Sequence, residues 1–137
     1  MKNVLILSVA ILVSACASVY KQDGITSSEK SKIAVIIVDP CKDKQCLTIQ
    51  EVDGKWRGLG SFSRYELLPG TRRLQFIFSA PGVHGTRAII VEFEAHAGST
   101  YELKSNADLS AMKWRPEVVD AGTGAVVSRP IGTAFPY

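Results

Sequence analysis

Two stretches of strict alternation constrain this chain more than any other feature. In residues 71–79, Leu74, Phe76 and Phe78 fall on one side, and Arg73, Gln75 and Ile77 on the other. Residues 87–96 repeat the pattern, with Ile89, Val91, Phe93 and Ala95 set against Glu92, Glu94 and His96. A side chain that changes face at every step marks a strand with one face on a core. No segment sustains a period of 3.6, so helix is expected to be scarce. Residues 33–38, IAVIIV, are apolar and β-branched throughout and read as a buried central strand ended by Asp39-Pro40. Leu47 and Ile49 alternate with Thr48 and Gln50, Asp53-Gly54 marks a turn, and residues 62–68 supply a further strand. Pro81-Gly82 and His84-Gly85 mark a loop. Ala97-Gly98-Ser99 reads as the turn of a hairpin whose second arm carries Tyr101 and Leu103. A last hairpin is expected from residues 114–119 and 124–128. About seven or eight strands at this spacing predict an all-β fold, an antiparallel β-sandwich or a small barrel. The domain is expected over residues 32–128, with residues 129–137 as an aperiodic tail.

The first residues follow a different rule. Met1-Lys2-Asn3 precede an apolar run over residues 4–13, broken only by Ser8, and then Ser14-Ala15-Cys16. A basic start, about ten apolar residues and a small-residue cleavage site make residues 1–15 a secretory signal peptide. Such a run is too short to cross a bilayer, which takes about 20 residues. Residues 12–16, Leu-Val-Ser-Ala-Cys, resemble the lipobox of bacterial lipoproteins. The resemblance implies that the Cys16 thiol receives a diacylglyceryl group and that cleavage falls just before it. Acyl chains such as palmitate would then fix the mature protein to a membrane. Each buried CH₂ contributes about 0.8 kcal/mol, and two chains already anchor stably. Ala17, where Asp would imply inner-membrane retention, implies the outer membrane, with the domain facing the periplasm or the cell surface. Residues 17–31 are polar and aperiodic and are expected to form a flexible tether reaching about 20 Å.

The chain from Cys16 onward, about 120 residues, suffices for one domain. The full chain's formal charge of +3, interspersed along it, lacks the concentrated basic stripe of a nucleic-acid binder. With Cys16 assigned to lipid, Cys41 and Cys46 remain of the three cysteines. In an exported chain they are expected to pair as a disulfide, closing a short loop worth about 2 kcal/mol. A zinc site would need about two further ligands, and a catalytic redox pair calls for C-x-x-C, which the chain lacks.

No hydrolase, metalloprotease, Walker or dinucleotide-binding signature is present. Gly58-Leu59-Gly60 is followed by no helical pattern that could cradle phosphate. Glu94 and His96 share an outward face, but proton transfer would also need a cleft and a nucleophile. Asp39, Asp43 and Asp53 lie on turns and offer oxygen ligands, yet their spacing matches no calcium loop. No catalytic residue, metal ligand or cofactor is therefore expected. Trp114 alternates with Val118 and is expected in the core. Trp56, with Arg57 beside it in a turn region, and His84, in a Gly/Pro loop, are the candidate binding residues.

The run Leu68-Pro69-Gly70 with Leu74 and Phe76, and then Ala97-Gly98-Ser99-Thr100-Tyr101-Glu102-Leu103, resembles PEGA-type and transthyretin-like sandwiches of bacterial envelopes. The P-E-G-A tetrapeptide itself is missing. The resemblance implies a surface-presented accessory module rather than an enzyme. The expected function is thus a lipid-anchored interaction or structural module of the cell envelope, its partner an envelope protein. The alternatives are a binder of cell-wall or small-molecule ligands, or an inhibitor that plugs a wall-degrading enzyme with the loop at residues 81–85.

Overall fold

The computed structural model describes residues 18–39, 41 and 44–135. The signal peptide, Cys16 and Asp43 lie outside them. In chain order the strands are β1 (Val19–Lys21), β2 (Ala34–Ile37), β3 (Cys46–Val52), β4 (Lys55–Trp56), β5 (Arg64–Leu67) and β6 (Gly70–Ala80). They continue as β7 (Val83–His84), β8 (Ala88–Ala95), β9 (Thr100–Asp108), β10 (Lys113–Asp120) and β11 (Ser128–Ala134). A 3₁₀ turn, Lys30–Lys32, precedes β2. Among the described residues no helix is long and apolar enough to cross a membrane.

The strands form two sheets, in the orders β1-β5-β2-β9-β10 and β11-β8-β6-β3-β4, with β7 paired to β6. Neither closes into a barrel, so the sandwich is the correct member of the expected pair. The inward alternation is as read. Leu74, Phe76, Val91 and Phe93 from the six-stranded sheet meet Ala34, Ile36, Tyr101 and Val118 from the other. The central strand β2 is buried except at Ile37. Cys41 and Cys46 are joined by a disulfide with Cα atoms 3.9 Å apart, at the point where the chain passes from β2 in one sheet to β3 in the other.

Five expectations are corrected. The sandwich has two parallel pairings, β1 with β5 and β2 with β9, because the chain changes sheet after β2, β4, β5, β8 and β10. Residues 97–99 do not close a hairpin. They carry the chain across to the facing sheet, where Thr100 aligns with Val35. The crossing buries the Tyr101 ring edge-on against Phe93, with centroids 5.2 Å apart, and its hydroxyl accepts the His96 N–H at 3.0 Å. The final hairpin is reduced to one bridge, Val119 with Val126, before the chain leaves for the other sheet.

The remaining two corrections concern the ends. The expected tail forms β11, which pairs with β8 in a register that shifts between Pro130 and Gly132. An edge strand tolerates a proline because one side of its ladder faces solvent. The expected tether is built into the fold from Ser18 onward. β1 pairs with β5, and the Gln22 side chain accepts the Leu68 N–H at 2.9 Å. Glu66, with a side chain only 4% exposed, receives Ser28 at 2.7 Å and Arg64 at 3.0 Å, and Lys21 lies at 4.0 Å. Burying a carboxylate is costly unless it is paired, so this cluster fixes residues 21–28 against β5.

Candidate functional site

One end of the sandwich is open. The final turn of β6, the short strand β7 and the start of β8 form one wall of a groove, and the β9–β10 hairpin forms the other. The groove encloses about 640 Å³, within the range of small-molecule sites. Its floor is the stacked pair Phe78 and Trp114, with centroids 5.5 Å apart and planes 21° apart. Trp114 is half-buried on this floor, not enclosed in the core as expected.

The walls approach closely because of a glycine. Gly85 donates its N–H to the Phe78 carbonyl at 2.9 Å. A Cβ on Gly85 would stand 3.1 Å from that carbonyl oxygen and 3.4 Å from Trp114 Nε1. The opposite wall is shaped by Asp108, whose Oδ1 accepts from the Ser110 and Ala111 N–H groups, each at 3.1 Å, and from Ser110 Oγ at 2.6 Å. The Ser110 and Ala111 hydrogen bonds hold the Asp108 carboxyl below its ordinary value despite its partial desolvation. The turn they tie presents Leu109 and Met112 outward, with Met112 in the left-handed region at φ 52° and 70% exposed. Phe135 is 78% exposed at the same end, with the Arg87 guanidinium over its ring. Large apolar side chains rimmed by charge are a feature of interaction surfaces.

The three candidate binding residues do not converge. His84 lines this groove. Trp56 is 59% exposed on β4 and pairs with Glu51, at the opposite edge of the sheet. Arg57 turns away from it, lying 5.0 Å over the Phe62 ring and donating to the Gly60 carbonyl. Phe62 in turn packs with Tyr20 and Tyr65 in an aromatic triangle that fastens β1 to β5. Burial raises the Tyr65 phenol to about 12. Arg57 thus caps an aromatic cluster, and Trp56 stands alone.

The acidic turns do not assemble either. Asp53 accepts Arg72 and Gln22, each at 2.7 Å, and the Arg73 N–H at 2.8 Å. Its oxygens are therefore engaged by protein donors. Among the described residues, no cluster of three or more His, Cys, Asp or Glu side chains could hold a metal ion. On the outer face of the six-stranded sheet, Glu92 is clasped by Arg129 at 2.7 Å and Arg73 at 3.1 Å, and these two hydrogen bonds lower its pKa.

Sequence reasoning missed the hairpin tip and the Trp114 floor. The signal available was Leu109 and Met112 standing in an otherwise small and polar turn, where nothing in the core requires large apolar residues. No family model, curated protein or solved structure matches this chain.

Proposed function

We propose that this protein is a lipid-anchored β-sandwich of the bacterial envelope that works by binding rather than by chemistry, with the end groove as its binding surface. Three readings of the sequence support the envelope address: the signal peptide, the lipobox-like residues 12–16 and the disulfide of an exported chain. The observation that carries the binding role is the concentration of exposed apolar side chains, Leu109, Met112 and Phe135, around a groove floored by Phe78 and Trp114.

The test is photo-crosslinking in intact cells from a residue on the groove wall, Val83, against a control position at the far end, Thr123. One dominant adduct from Val83, absent from Thr123 and absent in Cys16→Ser, is the expected outcome. Equal labelling from both ends would remove the groove from the proposal. A second reading, a small soluble ligand such as a cell-wall fragment, is favoured by the aromatic floor, since rings of this kind stack on sugars and planar groups. Titration with such fragments would then quench Trp114 and leave Trp56 unchanged.

A further inference from the structure

We infer that the hairpin end of the sandwich is seated on the bilayer, with Leu109 and Met112 in the interface and Arg87 and Lys113 on anionic phospholipid. This rests on the lipid-anchored reading and names what that end of the molecule meets.

The first support is where the chain enters the fold. The register runs from Val19 to Arg64, from Arg64 to Ile37 and from Ile37 to Glu102. The start of β1 therefore lies at the same end as the tip toward which β9 runs. Only residues 17 and 18 separate Cys16 from Val19, so a lipidated Cys16 stands within about 10 Å of the sheet. From Glu102, β9 continues through residues 103–108 with β10 as its antiparallel partner. At about 3.3 Å per residue, the hairpin overhangs the strand entry by about 20 Å. Sheet twist inclines the hairpin away from the direction of β1 but leaves both at one end. The overhang exceeds the reach of the anchor, so a domain held this closely brings its hairpin to the membrane.

The second support is what that end presents. Met112 and Phe135 are 70% and 78% exposed, Leu109 is 41% exposed, and Leu59, in the loop bonded to Ser18, is 87% exposed. Arg87 and Lys113 are exposed beside them, and among the described residues neither forms an ion pair. The nearby carboxylate of Asp108 is turned onto the amides of its own hairpin. Apolar tips flanked by cations match an interface of buried acyl chains beneath anionic headgroups.

The experiment uses the full processed protein, purified from membranes and reconstituted into vesicles of phosphatidylethanolamine with a minor share of phosphatidylglycerol, their acyl chains brominated. Trp56→Phe leaves Trp114, two residues from Met112, as the reporter. Mass spectrometry of the N-terminal peptide first reads the acylation of Cys16. An unmodified Cys16 would overturn the anchored reading, and the inference with it. With Cys16 acylated, bromine should quench Trp114. Leu109→Asp with Met112→Asp should abolish the quenching while the protein still floats with the vesicles. Both side chains are exposed, so the fold should survive, and an unchanged far-ultraviolet spectrum checks this. Lys113→Glu with Arg87→Glu should weaken quenching only where phosphatidylglycerol is present. Trp114 unquenched in the acylated parent, as expected if a protein or a second copy of the chain caps this end, would overturn the inference. Quenching that survives the double Asp change would overturn it equally.

Discussion

Glu66 is the residue whose chemistry reaches furthest. Burial alone pushes its carboxyl up, but hydrogen bonds from Ser28 and Arg64 and the charges of Arg64 and Lys21 outweigh burial and leave it below its ordinary value. A carboxyl depressed on folding stabilises the protein above the unfolded value of 4.5, and that contribution is lost as pH falls through the folded value. Wild-type stability should therefore decline in the acid range below 4.5, and Glu66→Gln should flatten this limb in urea titrations at a series of pH values. At neutral pH the same change should cost about 1–2 kcal/mol, since it replaces charge-assisted hydrogen bonds and half-exposed Lys21 adds little. Gly85 is the second sensitive position. Gly85→Ala puts a methyl group 3.1 Å from the Phe78 carbonyl and should destabilise by about 1–2 kcal/mol. Its signature would be a shift in Trp114 emission, because the groove wall must move off the indole.

Among the elements, β1 shows how far local pattern can mislead. Its three residues hold no inward apolar alternation, and what surrounds them is Ser, Lys and Gly, so the segment reads as a linker. It is a strand because partners distant in sequence, Phe62, Tyr65 and Glu66, are waiting for it. Tyr20→Ala removes two of the three ring contacts and should cost about 1–2 kcal/mol. Amide exchange should then accelerate at residues 19–21 while β6 and β8 stay protected. The strands with a strict period, β6 and β8, were legible down to the residues that face inward, since burial on one face alone dictates that pattern. What followed them was not. Ala97-Gly98-Ser99 serves a hairpin and a sheet crossing equally well, and only the space beneath Phe93 selects the crossing. β11 was hidden for the same reason as β1: an edge strand that buries little leaves little trace in composition. At the site, the exposure of Trp56 and of His84 was legible, although His84 lies on the short strand β7 and not in a loop. Their separation by two strands was not, because pairing order is a property of the whole sheet.

At the scale of the whole molecule, the disulfide and the sheet crossings act together. Cys41–Cys46 closes a loop of five residues' separation where the chain first changes sheets. A loop this short removes little freedom from the unfolded chain, so Cys41→Ser with Cys46→Ser should cost about 2 kcal/mol and leave a folded sandwich. Urea unfolding with and without reductant measures it, and collapse of the fold on reduction would contradict the small value. The core formed by Leu74, Phe76, Val91 and Tyr101 lies away from the bridge and should hold the two sheets together without it.

The parallel pairing of β1 with β5 also gives the molecule a mechanical polarity. A pull on residues ahead of Val19 acts along the axis of β1, so the Val19, Tyr20 and Lys21 pairings and the Gln22 to Glu66 backbone bond share the load in shear. A terminal strand pulled sideways would instead unzip, surrendering its bonds in sequence. β1 therefore behaves as a clamp, firm under tension along its own axis and easily opened from its flank.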